Sequence, residues 1–366
     1  MTPAELAQAL KQKARQLGFT LAGVTNPNRP EHFDVFQGWL AAGRQAGMGY
    51  LADQTAIERR ADPRRILPEC RSILVLGIPY SNPTRPSPDH FPRSSAKDGE
   101  GEAGPRGRVA SYAWGADYHL VLPERLQALV DFLEAEIGHP VPNRWYTDTG
   151  PILERDLAMR AGLGWIGKNT CLINPKSGSY FLLAEILLGL DLPPDEPFSS
   201  DHCGSCTRCI EACPTDCILP DRTLDAGRCI SYLSIENKAE IPEDLRPQMG
   251  DWVFGCDICQ VVCPWNIRFA PDEGDPAFAA RPGVPTPALA DVLGLTPQAF
   301  NRQFKDSPLK RAKRRGYLRN AAVAAANIGQ PILLPVLQSV ADDEEPLVRE
   351  HVGWAIKQLE EASCDC

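Results

Sequence analysis

Cys203-Gly204-Ser205-Cys206-Thr207-Arg208-Cys209-Ile210-Glu211-Ala212-Cys213-Pro214 carries four cysteines in the spacing C-x2-C-x2-C-x3-C-P. Further along, Cys256-Asp257-Ile258-Cys259-Gln260-Val261-Val262-Cys263-Pro264 repeats the pattern without its leading cysteine. A 4Fe–4S cluster takes four thiolates, and in two-cluster ferredoxins the fourth cysteine of each run crosses to the other cluster. The shortened second run needs one ligand from elsewhere, and Cys229, in Gly227-Arg228-Cys229-Ile230, lies in the interval. The expected ligand sets are Cys203, Cys206, Cys209 and Cys263 for a first cluster, and Cys213, Cys229, Cys256 and Cys259 for a second. Zinc sites use paired CxxC or mixed His/Cys sets rather than this threefold run. A disulfide framework belongs to short secreted chains. Cys70, Cys171, Cys217, Cys364 and Cys366 fit no ligand run; as free thiols they imply a reducing compartment.

At 366 residues the chain has room for two or three domains with real cores. The N-terminus, Met1-Thr2-Pro3-Ala4-Glu5-Leu6, has no basic or apolar leader region. No apolar run approaches the roughly 20 residues a spanning helix needs. The longest, Phe181 to Leu188, is interrupted by Glu185. A soluble, cytoplasmic, monomeric protein is expected. Net charge is −9, yet Lys310, Arg311, Lys313, Arg314, Arg315 and Arg319 place six cations in ten residues. An acidic chain with one basic segment is suited to hold one polyanion at one spot.

The overall expectation is an α+β protein. Residues 1–80 read as α/β: a helical pattern over Ala4 to Leu17, a short strand at Phe19 to Val24, another helix from Phe36, and an apolar strand at Ser72 to Ile78. Ser81 to Arg108 is dense in Pro, Gly, Ser and charge and reads as a long loop. Val121 to Ile137 is a helix. Asp148-Thr149-Gly150-Pro151 offers cap residues for a helix continuing through Leu157 to Ala161. Tyr180 to Leu187 fits strand or helix equally. A cluster domain spans 198–270, and a proline-rich linker runs from Pro271 to Pro287. Beyond it, helical segments at Ala321 to Gly329, Ile332 to Val340 and Val348 to Leu359 look like a HEAT-type unit, with an ordinary helical hairpin as the alternative.

Clusters move single electrons, so the residues before them must hold whatever accepts those electrons. Gly162-Leu163-Gly164-Trp165-Ile166-Gly167 matches GxGxxG in letters but follows a helix pattern rather than a strand, which argues against a dinucleotide site. Gly167-Lys168-Asn169-Thr170 likewise lacks the strand that precedes a Walker A loop.

Six further stretches carry a resemblance. They are Trp114 to His119, Asp148 to Arg155 (DTGPILER), Ala161 to Asn169 (AGLGWIGKN), Arg228 to Leu233 (RCISYL), Phe254 to Cys259 (FGCDIC) and Cys263 to Asn266 (CPWN). In order and spacing the chain resembles the epoxyqueuosine reductases over nearly its whole length, with Cys217 as an extra thiol beside the first cluster. The resemblance implies a cobalamin-dependent enzyme that reduces the epoxide of epoxyqueuosine, at the wobble position of certain tRNAs, to queuosine, fed by an external low-potential electron donor. It divides the chain into a cobalamin-binding catalytic domain over 1–197, a ferredoxin-like domain with two 4Fe–4S clusters over 198–270, and a HEAT-like tRNA-binding domain over 287–366. A reduced corrin carries the hard chemistry while the protein supplies position and protons. The Asp-x-His-x-x-Gly signature of a histidine-ligated corrinoid is absent from this sequence.

By the same resemblance Asp148 is the proton donor at the corrin face, a role compatible with capping the following helix. Arg60, Ser231, Asp257, Leu172 and Leu183 match positions that line the cofactor. Arg155 and Lys168 are candidates to hold its polar groups, or else are surface charges. His119 could orient substrate or be a satisfied core histidine. The basic segment Lys310, Arg311, Lys313, Arg314, Arg315 and Arg319 is expected to dock the tRNA backbone. Three rival readings remain at this level. A corrinoid reductive dehalogenase would carry a twin-arginine signal, an iron–sulfur electron-transfer subunit would leave the N-terminal half without a task, and a scaffold with structural clusters would bind no cobalamin.

Overall fold

The computed structural model describes residues 1–80 and 104–364, the side chains of 363 and 364 excepted. The expected loop from Ser81 therefore lies outside the described residues as far as 103, and so do Cys366 and the Cys364 side chain.

Thr2 opens helix α1 (Pro3–Gln16) with a reciprocal cap: its hydroxyl accepts the Glu5 amide and the Glu5 carboxylate accepts the Thr2 amide. Leu6, Leu10 and Ala14, four residues apart, form the buried stripe. Strand β1 (Leu21–Thr25), helices α2 (Phe33–Ala41) and α3 (Gln54–Ala61) and strand β2 (Ser72–Pro79) follow. After β3 (Arg108–Val109) come α4 (Tyr118–Ile137), β4 (Asn143–Tyr146), α5 (Glu154–Arg160), the short pair β5 (Trp165–Ile166) and β6 (Leu172–Ile173), and β7 (Phe181–Leu188). The stretch that fitted strand or helix equally is thus a strand.

The main sheet runs β1-β2-β7-β4, and every neighbouring pair is antiparallel. The α/β expectation for 1–80 is corrected on this point. Continuous apolar runs of strand length are typical of parallel sheets because both faces are covered there. Here an antiparallel sheet is covered on both faces too. Leu74, Leu76 and Ile78 of β2 join Ala184, Ile186 and Leu188 of β7 in the core under α1 and α4. Ile73, Val75 and Leu187 face the other way, toward Leu157, Ala158 and Ala161 of the α5 segment. Period-two alternation places Glu185 on that second face. Gly23 lets α5 close in: a β-carbon there would stand 2.1 Å from the Ala161 carbonyl oxygen.

The cysteine-rich region adds α6 (Arg208–Glu211), α7 (Ile230–Ile235), β8 (Trp252–Phe254), α8 (Ile258–Val261) and α9 (Pro264–Phe269), with β8 parallel to β3. The tail is helical: α10 (Leu289–Leu293), α11 (Pro297–Gln303), α12 (Lys313–Ile328), α13 (Leu334–Ser339) and α14 (Pro346–Cys364). Its core is continuous with Val109, Trp114, Val253 and Phe254, so it is bolted to the cluster region. Asn320 donates to the Ser234 and Val253 carbonyls at 2.8 Å each. The proline-rich connection is tied down by a two-point Arg125–Asp275 bridge. Among the described residues no helix is long and apolar enough to cross a membrane.

Candidate active site

The thiols of the first expected set meet. Cys203, Cys206, Cys209 and Cys263 line one cavity of about 310 Å³, walled by Ile173, Trp265 and Phe269. Trp165 and Trp265 pack edge to face with ring centres 5.0 Å apart, and the Trp165 indole N–H points at the Cys203 sulfur at 3.5 Å. Lys168 lines this same cavity, on the side of the first cysteine run. Its Nζ donates to the Gly204 and Cys206 carbonyls at 2.8 and 3.0 Å, so it braces the loop of the first cysteine run. That corrects its expected role; an ammonium with three donors satisfies carbonyls that a tight loop leaves bare.

The second set is more crowded than its spacing suggests. Cys217 lies in hydrogen-bonding contact with both Cys213 and Cys229, its sulfur 3.4 Å from that of Cys213. The Cys217 hydrogen bond draws the Cys213 thiol down to about 5 and lowers Cys229, while Cys217 itself is held firmly protonated. Cys256 interacts electrostatically with Cys229 and Cys213, and Cys259 contacts Cys171. Cys217 therefore sits inside the second set, not beside the first. Cys171, which fitted no run, lies against it as well.

Asp148 is an exposed residue of the loop between β4 and α5. Its backbone is left-handed, with φ +59°, a region where aspartate and asparagine are tolerated better than most residues. Tyr118 Oη donates to its Oδ2 at 2.7 Å, and His119 Nε2 stands 3.8 Å from the same oxygen. Asp117 caps α4 and takes the other ring nitrogen of His119 at 2.8 Å, which orients the imidazole. The hydrogen bond to Asp117 counts among the causes that raise the His119 pKa, although burial, the largest contribution, opposes it. The capping alternative for Asp148 is corrected. Helix α5 begins at Glu154 with Leu153 at its cap and no side-chain cap bond. The loop is held otherwise: the Asp148 amide donates to Glu154 Oε1 at 2.7 Å, and the Thr147 hydroxyl to the Leu183 carbonyl at 2.9 Å.

The remaining cofactor candidates come from separate elements. Arg60, on α3, is buried with its guanidinium 5.5 Å from the Phe36 ring centre. Tyr50 feels the charges of Glu236, Arg311, Asp148 and Arg60. Arg155 donates to the Thr170 carbonyl and hydroxyl. Asp257 is buried and accepts the Ser111 amide at 2.6 Å. Cys171 senses Arg155, Asp257 and Cys229 together. Leu172 is buried in β6, Leu183 is half-buried on β7, and Ser231 is half-buried in the first turn of α7.

The basic segment is divided by the fold. Arg319 is 0 % exposed and donates to the Leu233, Asn237 and Ala239 carbonyls. Arg314 is clamped by Asp343 and the Leu295 carbonyl. Both are corrected from docking residues to structural ones. The sequence shows only like charge locally, whereas the counter-charges come from remote segments. Arg311 pairs with Glu236 at 2.7 and 3.0 Å while remaining exposed, and Arg315 lies 3.9 Å from Glu345. Lys310 and Lys313 are exposed.

Three groups at the site were underweighted or missed: the Tyr118–His119 pair, Glu154 and Glu185. The signal for Glu185 was present, because a lone carboxyl in an apolar strand needs a reason to be there.

Comparison with known proteins agrees with this arrangement. Residues 202–266 match the family model for a 4Fe–4S double cluster binding domain, and 60–149 match that for epoxyqueuosine reductase QueG, DUF1730. The chain is 40% identical to the epoxyqueuosine reductase of Xanthomonas campestris pv. campestris over 357 residues, 97% of each. It is 35% identical to that of Escherichia coli K12, over 99% of this chain and 92% of the relative. A solved epoxyqueuosine reductase with a tRNA-Tyr epoxyqueuosine-modified tRNA stem loop superposes with a TM-score of 0.86 at 31% identity, covering 98% of this chain and 93% of the other. The Bacillus subtilis structure, described with its catalytic aspartate loop swung out of the active site, gives 0.83 at 30% identity, covering 98% and 94%. With this identity along nearly its full length, the chain belongs to the epoxyqueuosine reductases, tRNA-modifying reductases with a two-cluster 4Fe–4S domain.

Proposed function

We propose that this chain reduces the epoxide of epoxyqueuosine in the anticodon loop of tRNA, with cobalamin as the reacting cofactor, two 4Fe–4S clusters as its electron path and Asp148 as proton donor. The observation that carries the reading is one of order. Cys171 contacts Cys259 of the second cysteine set and feels the charges of the cofactor candidates Arg155 and Asp257, while the first set lines its own cavity. Leu172, Leu183 and Tyr112 would offer a corrin apolar contacts, and Arg60, Arg155 and Ser231 polar ones. Bound cobalamin would supply a strongly nucleophilic reduced cobalt. The protein's residues do the rest. Tyr118 and His119 hold the Asp148 carboxyl in place, and Asp148 passes a proton to the epoxide oxygen. Deoxygenation takes up two electrons and two protons and releases the oxygen as water, leaving a carbon–carbon double bond. An external low-potential donor refills the clusters.

The domains follow as 1–197 for cobalamin, 198–270 for the clusters and a HEAT-like tail over 287–366, in a cytoplasmic monomer. The tRNA approaches along Lys310, Arg311, Lys313 and Arg315. Arg311 supports this idea: it pairs with Glu236 and also feels the charges of Tyr50 and Asp148, which links the basic edge electrostatically to the Asp148 loop. The target base has to leave its stack to reach Asp148, as single-stranded loop bases can. Changing Lys310, Lys313 and Arg315 together to glutamine is expected to weaken tRNA binding and to flatten the log K against log salt slope by about 2. An unchanged slope would remove this edge from the tRNA path.

The direct test is turnover. Protein purified without oxygen and supplied with cobalamin, a reductant and epoxyqueuosine-containing tRNA is expected to yield queuosine on nucleoside mass analysis. No loss of the oxygen from the modified nucleoside would overturn the proposal. The ligand sets have their own check: Cys229→Ser is expected to lower iron toward one cluster per chain, and Cys217→Ala to leave both. Full two-cluster iron in the Cys229 variant would break the pairing.

A further inference from the structure

Glu185 sits in the middle of the four-stranded sheet with 0 % exposure, paired with Val75 on β2 and Tyr146 on β4. Neither of its carboxyl oxygens meets a hydrogen-bond donor among the described residues. Its polar contact is another carboxyl, that of Glu154 on α5. Glu154 in turn accepts the backbone N–H of Asp148 at 2.7 Å. Two carboxylates in contact without a donor cannot both stay ionised, so one proton must lie between them. The charged groups facing the pair are few. Asp148 faces both, and Arg155 is next to Glu154 in sequence, its guanidinium engaged with Thr170.

We propose that Glu154 and Glu185 are positioning residues for the catalytic loop, and that their shared proton is what keeps Glu154 in place to hold the Asp148 amide. This rests on the reading of Asp148 as the proton donor. A left-handed aspartate is an unfavourable conformation, and a hydrogen bond to its own amide is a direct way to fix it. Burial and then the Asp148 charge push the Glu154 carboxyl up to about 7, and burial with both neighbouring charges pushes Glu185 well above the usual range. Once pH has climbed past both values the pair carries two negative charges, the carboxyls repel, and the tether on Asp148 is lost. Stability moves with the same sign. The folded state binds the protons of both carboxyls more tightly than the unfolded chain does, so stability falls as pH climbs from the ordinary glutamate value through about 7 and on through the higher Glu185 value.

The test uses the full chain without cofactor or tRNA, by hydrogen exchange of the Thr147–Leu153 loop amides at pH 6 and pH 9, corrected for intrinsic rates. In the wild type, protection of the Asp148 amide is expected to fall at least tenfold at the higher pH. Glu154→Gln keeps an acceptor for Asp148 and adds a donor for Glu185, so its protection is expected to be the same at both values. Glu185→Gln is expected to behave likewise, and to lose the infrared band of a protonated carboxyl at neutral pH. Equal wild-type protection at both pH values, or the same fall in Glu154→Gln, would overturn the proposal. The exchange result does not depend on turnover. A tether that holds while Asp148→Asn turns over normally would discard the proton-donor reading and leave the tether standing.

Discussion

Replacing Asp148 by asparagine is expected to lower turnover by about 10²-fold or more, the scale of general-acid catalysis and about 2.7 kcal/mol in the barrier. The variant is a clean one because asparagine tolerates the left-handed backbone at least as well as aspartate. It keeps an oxygen to accept the Tyr118 hydroxyl and leaves the Asp148–Glu154 amide contact intact. What it removes is the proton that can be transferred. Iron content and the cobalamin spectrum are therefore expected to match the wild type while the queuosine yield collapses. Wild-type turnover in this variant would leave position 148 as a shaped turn without a part in the chemistry.

The reach of the sequence differs from element to element, and the differences have physical causes. Cysteine spacing is a local property tied to the geometry of a metal cluster, so the short runs 203–213 and 256–263 speak for themselves. The strands at 72–79 and 181–188 were visible as apolar runs, but their antiparallel pairing was not. Burial on both faces gives the same composition whichever way the neighbour runs. Asp148 could be named through resemblance, yet its setting could not. Tyr118 and His119 lie about thirty positions upstream, and Glu185 lies on another strand, so only the folded chain brings them to one loop. Charge was the least legible feature. Lys310 to Arg319 contains no acid, but Glu236, Asp343 and Glu345 arrive from elsewhere to meet three of its cations. A charge run identifies a surface only when its counter-ions are near in sequence.

Arg319→Ala is the sharpest test of that lesson. Arg319 was expected to meet tRNA phosphates, but it is fully buried, and its guanidinium donates to the carbonyls of Leu233, Asn237 and Ala239 and to Asn320. Burial lowers its pKa to about 10, which still leaves it a cation at neutral pH, stabilised by carbonyl dipoles rather than by an acid. Alanine would leave the buried Leu233 carbonyl without this donor, at about 1–3 kcal/mol, remove a donor from the part-buried Asn237 and Ala239 carbonyls, and open a void where the side chain was. The expected loss is therefore on the order of 3 kcal/mol, the void included, with a fall in the thermal midpoint on the order of 5 °C. Lysine would rescue little, because a single ammonium cannot reproduce the planar fork that serves carbonyls on several sides. The same variant is expected to bind tRNA, once folded, with an unchanged salt slope, since no exposed cation has been removed. A stable Arg319→Ala protein with a flattened slope would reverse the assignment and return Arg319 to the nucleic-acid surface. The Leu233 and Asn237 carbonyls it holds flank the end of α7, the helix that begins directly after Cys229. Loss of Arg319 is therefore also expected to loosen the second cluster before the first, so that iron is released in two steps on warming rather than one.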